Sequence, residues 1–476
     1  MHHGFGTGVG KLMKEQRPNI LFLMTDEQRF DHLGCVNPVV KTPYLDGLVD
    51  DGVLFSRAYT PNPSCVPARA GIFTGKYPHQ CGAPTFITYL PRHEKTFMRY
   101  LQEAGYYTAV IGKQHFGGSE IEHGYDYEDI VDSHAPVPQN PEKDSYQRWL
   151  RDAGFTHRNE LMDGSVGPSH YAEWKVDPKY HVDHYVGDRG REWMENGMPE
   201  NRPWFCWISF PGPHSPIDCG NFPQAALYDL DEIDMPETDF EMLAQKPPHN
   251  SYKGGDPPAQ PQPLSDDEIR MLRHAYYANV SLIDEKIGAI IQALKDAGEY
   301  ENTLVFFASD HGDFMGDFQM VAKGQNMMEV LMRIPFIVKP PEGGVRGKTE
   351  SSMISAIDIA ATCLTAAGAE VPEDMASRDL SHYWAQTEDL DDRDVLYMEA
   401  AGIRCLRTRR WKFSHYWNQP YGELYDLEND PWEKVNLWDC EEQAALKSEF
   451  QKRLLDELIA LSPRSYIAWN HGASTL

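Results

Sequence analysis

Four apolar runs in this 476-residue chain each end in residues able to hold a cation or an anion. Asn19–Met24 (NILFLM) leads into Thr25-Asp26-Glu27-Gln28, and Asn302–Ala308 (NTLVFFA) into Ser309-Asp310-His311-Gly312-Asp313. The run around Val110 leads to Gly112-Lys113-Gln114-His115, and Pro203–Phe210 (PWFCWISF) to Pro211-Gly212-Pro213-His214. Carboxylate oxygens at the acidic ends suit a divalent cation. Lys and His at the basic ends suit an oxyanion, through charge-assisted hydrogen bonds. A metal beside a basic cluster is what sulfuryl or phosphoryl transfer needs, because charge on the transferred group's oxygens must be covered. A fifth segment, Pro63-Ser64-Cys65-Val66-Pro67-Ala68-Arg69, puts a thiol just before an apolar helix. A helix N-terminus lowers a thiol pKa and attracts anions, and Arg69, one turn on, is placed to hold Cys65 or its bound anion. Taken singly, each group has a plainer reading. Cys65 suits a small buried residue, Asp310-His311 a strand-to-turn cap, His214 a loop, and Lys323 a solvated surface.

The elements that must position these groups follow from periodicity. Val53–Tyr59, Tyr107–Ile111 and Ile334–Val338 read as further strands, and Thr96–Ala104 as a helix stopped by Gly105. Asp266–Gly298 is the longest periodic segment, with Leu272, Tyr276, Val280, Ile283, Ile287, Ile290 and Leu294 stepping by three and four. Ile357–Ala367 reads as another helix. Strands alternating with helices predict an α/β fold with a large, mostly parallel central sheet flanked by helices. In such sheets ligands bind beyond the carboxyl ends of the strands, where the four polar ends would meet. Residues 1–17 read as an N-terminal extension and 18–390 as the catalytic α/β domain. Aperiodic stretches near 134–179 and 221–263 read as insertions over the active-site face. Residues 391–476, with short strands at Val395–Glu399, Ile403–Thr408 and Trp411–His415 and a last helix near Glu441–Leu461, read as a smaller C-terminal α+β subdomain.

Composition removes whole classes. A formal charge of −28 disfavours DNA, RNA and anionic membranes as partners. No apolar run reaches the roughly 18 residues of a membrane span. The N-terminus has no apolar core of a secretory signal, so a cytoplasmic location is expected, or a periplasmic one if a signal has been removed. Eight cysteines without a C-x-x-C pair make neither a disulfide framework nor a zinc ribbon. An oligomer is compatible with the sequence.

On these residues the sequence resembles the type I, formylglycine-dependent sulfatases of the alkaline-phosphatase superfamily. The C-x-P-x-R core stands as Cys65, Pro67 and Arg69, followed by Ile72-Phe73-Thr74-Gly75. Gly105-Tyr106-Tyr107-Thr108 through Gly112-Lys113-Gln114-His115 is similar to the family's second signature. Pro213-His214, Ser309-Asp310-His311-Gly312 and Lys323-Gly324 are similar to its substrate contact, distal metal pair and late substrate lysine. Glu423-Leu424-Tyr425-Asp426-Leu427 is similar to its C-terminal ELYDL segment, so the likeness runs from about residue 18 to 440. Departures occur at Val66, usually a small residue, at Glu27, where many members carry Asp, and at His311, where many carry Asn. The Asp-His pair is similar to the choline-sulfatase and phosphonate monoester hydrolase branches. Those phosphonate hydrolases lack the Lys-x-His element kept here at Lys113 and His115, and no clear Asn stands some twenty residues after Cys65, where those branches have one.

The resemblance implies hydrolysis of a sulfate ester to an alcohol and inorganic sulfate. Cys65 would be oxidised by a formylglycine-generating enzyme, and its hydrate would be the nucleophile. Asp26, Glu27, Cys65, Asp310 and His311 would form the metal site, most simply for Ca2+, with Mg2+ or Mn2+ as alternatives because imidazole is a softer ligand. Asp310 would act as base, Lys113 and Lys323 would hold the sulfate, and Arg69 would orient the diol. His214 would protonate the leaving alcohol, and His115 would take the proton that releases sulfate. The expected substrate is a sulfated carbohydrate or a small organic sulfate. Its competitor is a phosphonate monoester or phosphodiester, and an anion-binding homologue without catalysis is the third reading.

Overall fold

In the computed structural model, residues 17–116, 123–131, 144–163, 170–251, 264–385 and 393–462 are described. The first apolar run forms β1 (Asn19–Asp26), with every residue buried. Its continuous hydrophobicity reflects cover on both faces. Ile20, Phe22 and Met24 enter one core layer with Phe73 and Cys363, while Leu21 and Leu23 enter the other with Val186, Ile287 and Ile290. The elements used below are β2 (Val53–Tyr59), α1 (Cys65–Thr74), β3 (Tyr107–Gly112), β4 (Tyr127–Ile130), α2 (Val182–Asn196) and β5 (Trp204–Pro213). They continue with α3 (Asp266–Asp296), β6 (Thr303–Ser309), β7 (Phe336–Lys339), β8 (Lys348–Ser355) and α4 (Asp358–Ala366).

The sheet order is β8-β2-β7-β6-β1-β5-β3-β4. Every neighbouring pair is parallel except the two made by β7, which runs antiparallel to β2 and β6. Helix α3 buries all seven apolar positions read from its periodicity. It starts in a capping box, in which Ser265 Oγ accepts the Glu268 N–H. The C-terminal subdomain is a four-stranded antiparallel sheet, β9 (Leu396–Ala400), β10 (Ile403–Arg407), β11 (Trp411–Tyr416) and β12 (Gly422–Asp426). Helix α5 (Ala444–Ala460) covers it, with Phe450 stacked on Phe413. This sheet buttresses the catalytic side. Asn62 Nδ2 donates to the Glu399 carbonyl (2.7 Å) and Lys412 Nζ to the Met327 carbonyl (2.6 Å).

Several elements differ from the sequence reading. The strand expected at Ile334–Val338 is broken at Pro335, which has no N–H to give a ladder. Arg333–Ile334 pairs with β2 alone, and β7 begins at Phe336. The aperiodic 134–179 stretch contains a helix, Ser145–Asp152, capped by the Asp144 carboxylate. The 221–263 stretch contains short turns and a helix at Phe240–Leu243. The last helix begins at Ala444 after a separate turn at Glu441–Gln443. Of the expected extension and insertions, residues 1–16, 134–143, 164–169 and 252–263 lie outside the described residues, as do 386–392 and 463–476.

The close fit of the strand ends makes a first prediction. Gly112 has φ of 96°, and a Cβ there would meet the Ser209 carbonyl oxygen at 2.0 Å. Gly112→Ala is expected to cost about 3 kcal/mol or more, read as a lower urea midpoint. An unchanged midpoint would mean that the β3–β5 edge yields freely.

Candidate active site

The carboxyl ends of β6, β1, β5 and β3 lie side by side, with Thr25 opposite Ser309, Asp26 opposite Pro213, and Gly112 opposite Ser209. Adjacency delivers Asp310, Asp26, His214 and Lys113 to one edge. Beyond the strands the backbone turns sharply, with Glu27 at φ of 68° and His115 at 54°. Such left-handed geometry is costly for side-chain-bearing residues and concentrates at functional sites. Helix α1 begins at Cys65 and aims its N-terminus at the same edge.

Cys65 is buried at the centre. Its Sγ is 3.2 Å from His311 Nε2, 3.6 Å from Asp26 Oδ1 and 3.9 Å from Lys113 Nζ. Ligand-type atoms of Asp26, Cys65, Asp310 and His311 all lie within 4.8 Å of one another. Burial pushes the thiol up, but Lys113, Lys323, His311 and a hydrogen bond from His115 outweigh it and hold it well below its ordinary value. His115 Nδ1 is buried without a hydrogen-bond partner among the described residues.

Arg69, one turn into α1, is fully buried and ties the acidic ends together. Its Nε donates to Asp310 Oδ2 (2.7 Å) and its second terminal nitrogen to Asp26 Oδ2 (3.1 Å). The remaining nitrogen bonds the Lys113 carbonyl (2.8 Å) and Ser209 Oγ (2.9 Å), so one guanidinium joins four strand ends and the helix. Lys113 Nζ also pairs with Asp26. Burial and Cys65 push Asp26 up, yet Lys113, His214 and Arg69 bring it down to about 2.

A second cluster flanks the first. Lys323 Nζ lies 3.1 Å from Glu27 Oε1 and 2.6 Å from His214 Nε2. His214 donates Nδ1–H to the Ser215 carbonyl (2.6 Å), which turns Nε2 into the site. Glu27 Oε2 is 3.3 Å from that Nε2 but buried without a hydrogen bond among the described residues. Thus Glu27 sits with Asp26 and His214 rather than in the four-residue group around Cys65. Asp313, passed over in the sequence, is buried close by, and burial and Glu27 push it up to about 7. The signal was present as the second carboxylate of Asp310-His311-Gly312-Asp313. Ser209 gave no such signal, since only folding brings it beneath Arg69.

The donor set fits a divalent cation. His311 gives Nδ1–H to the Gly312 carbonyl (2.9 Å), leaving the Nε2 lone pair facing the group, as a metal-ligating imidazole does. Asp26 and Asp310 offer oxygens to that group, and the orphaned Glu27 Oε2 offers one from the flanking group that shares Asp26. Burial lowers His311, but Asp310 and Cys65 overcome it and raise it to about 9. A second buried group, His181-Asp218-Cys219, has metal-like spacing. There His181 Nδ1 accepts the Asp183 N–H, so the proton resides on Nε2 and faces Asp218 at 3.1 Å. That is a hydrogen-bonded support for the loop after His214.

A mostly parallel sheet with a buried thiol, carboxylates, imidazoles and two lysines at one edge defines an anionic-ester hydrolase site. The chain matches the Sulfatase family over residues 18–369 and the N-sulphoglucosamine sulphohydrolase C-terminal family over 316–459. It is 30% identical to the uncharacterized sulfatase YidJ of Escherichia coli over 93% of this chain and 87% of that protein. It is 28% identical to an arylsulfatase of Clostridium perfringens over 93% and 94% of the two chains. A phosphonate monoester hydrolase of Agrobacterium radiobacter has the same fold, with a TM-score of 0.79 at 23% identity over 94% and 96% of the chains. The protein belongs to the sulfatase family and is a sulfuric ester hydrolase.

Proposed function

We propose that the enzyme hydrolyses the sulfate ester of a carbohydrate or small alcohol through formylglycine made from Cys65. The observation that carries this reading is Cys65 at the start of α1, buried among Asp26, Asp310 and His311 with Lys113 3.9 Å away. The hydrate of formylglycine supplies two hydroxyls on one carbon, one to attack sulfur and one to expel sulfate, which serine lacks. Calcium is the proposed cation, with Mg2+ or Mn2+ as alternatives, held by Asp26, Glu27, Asp310, His311 and residue 65. When bound, it neutralises charge on the sulfate oxygens.

The chain's own groups do the rest. Arg69 fixes the two carboxylates, and Asp310 is the base at residue 65. Lys113 and Lys323 bind sulfate oxygens, and His115 accepts the proton whose loss frees sulfate. His214 Nε2 gives a proton to the leaving oxygen, the work for which imidazole is suited. His214→Ala is therefore expected to slow alkyl and sugar sulfates about 10²–10⁴-fold and aryl sulfates much less. Equal losses for both would contradict the role. Exhaustive chelation is expected to lower turnover more than about 10³-fold, with recovery on adding Ca2+. Turnover that survives chelation would remove the metal from the account.

A panel of aryl, choline and mono- or oligosaccharide sulfates tests the alcohol. Release from one class well above the others names it, and equal rates on all would contradict a built alcohol site. The phosphonate reading is the runner-up, and Lys113 with His115 beside Cys65 favours sulfate over it.

A further inference from the structure

Away from Cys65, a groove of about 870 Å³ runs between the end of β2, the Arg29–Asp31 turn and the β10–β11 turn. No residue of the catalytic clusters lines it. One wall is built of arginines, Arg57, Arg333, Arg407 and Arg409. Arg333 crosses the Phe30 ring at 4.1 Å and gives Nε–H to the Ser56 carbonyl (2.8 Å). Tyr59, paired with Arg333 across the strands, lies under Arg407 at 5.5 Å. Arg57 stands two residues before Tyr59 on β2.

Charge in the groove is unevenly matched. Each of its six carboxylates already has a cation within 4.0 Å, with Arg29 and Arg273 serving three of them and Arg407 holding Glu329. The half-buried Arg57 side chain has no hydrogen bond or ion pair among the described residues. Burial lowers its hold on the proton and Tyr59 raises it, but Arg409, Arg407 and Arg333 lower it further, so the net direction is down. On a chain of charge −28 such a cluster is a local exception. Phe30 and Trp432, also in the lining, offer apolar surface of the kind that meets sugar faces.

We propose that this groove is a second anion site, which takes a sulfate group of a sulfated oligosaccharide on Arg57 and its neighbouring arginines. The choice of sulfate rests on the sulfatase reading, whereas the anion site itself rests on the arginine wall. Guanidinium groups suit it because their forked donors match tetrahedral oxyanions.

Calorimetry on the full-length protein tests the proposal, with inorganic sulfate, a sulfated tetrasaccharide and its unsulfated counterpart as probes. Wild type is expected to bind two sulfate ions and Arg57→Glu one, while turnover of a small aryl sulfate is unchanged. The sulfated tetrasaccharide should bind at least about tenfold more weakly to the variant, and the unsulfated one should bind neither protein. If Arg57→Glu fails to fold, Arg57→Gln replaces it, since that side chain is uncharged and shorter. Equal stoichiometry and affinity in wild type and a folded variant would overturn the site. A second sulfate lost with Arg57, without tighter binding of the tetrasaccharide, would overturn the oligosaccharide as occupant. If wild type turns over no aryl sulfate yet loses a sulfate site with Arg57, the sulfatase reading fails and the anion site stands.

Discussion

Cys65→Ala is expected to lose at least about 10⁴-fold in sulfate-ester turnover while remaining folded. The loss follows from removing the thiol from which the formylglycine is made, since its hydrate carries the only hydroxyl that takes the covalent sulfate in the proposed mechanism. The fold survives because the deleted thiol is small, so the cavity costs on the order of 1 kcal/mol. Helix α1 keeps its N-terminus, and Arg69 keeps both carboxylates. Binding of the sulfate ester should persist, because Lys113, Lys323 and His214 remain. Cys65→Ser separates nucleophile from release, since it is expected to give at most one turnover and to retain sulfate on the protein. Steady-state rates and intact mass after mixing with substrate check both. Full turnover by Cys65→Ala would show that another group attacks sulfur.

Arg69→Met should produce the largest loss of stability of any single change in the site. Arg69 is fully buried, as are Asp26 and Asp310, which it joins. Removing it leaves two carboxylates in low dielectric without that partner, a change worth about 3–5 kcal/mol. The pH dependence has a definite sign. Asp26 has a folded-state value of about 2, below its ordinary 3.8. Its contribution is present above the unfolded pKa and lost as pH falls through the folded one. Without Arg69 that value rises, so the acid loss of stability begins at higher pH in the variant. Urea unfolding at pH 7 and along the descent to pH 3 measures both effects. Arg69→Met with wild-type stability at pH 7 would mean that the guanidinium does not hold the two acids together.

The order of apolar runs and polar ends was legible because it is local. Asn19–Met24 and Asn302–Ala308 announce buried strands, and parallel pairing puts their ends at one edge. Cys65 and Arg69 were legible because one helical turn separates them. What joins these pieces is not local. Ser209 beneath Arg69, the Gly112–Ser209 approach, and the turn of Glu27 toward Lys323 and His214 arise only when segments far apart in the chain meet. The helix at Ser145–Asp152 escaped notice because eight residues hold barely two turns of periodicity. Strand β12 pairs with β11 without a break, yet Gly422, Glu423, Leu424 and Tyr425 are all buried, so no alternation announces it beside its motif.

The most direct test is the ratio of kcat/KM for an aryl sulfate to that for the matched aryl phosphonate and phosphate diester. It should be measured with calcium on protein co-expressed with a formylglycine-generating enzyme. The tryptic peptide Ala58–Arg69 from the same preparation would be weighed to verify that Cys65 has exchanged H2S for O. The account predicts a ratio well above one, and a sulfate kcat/KM that scales with the aldehyde fraction. A ratio below one in protein carrying the aldehyde, or sulfate release independent of it, would contradict a formylglycine-dependent sulfatase.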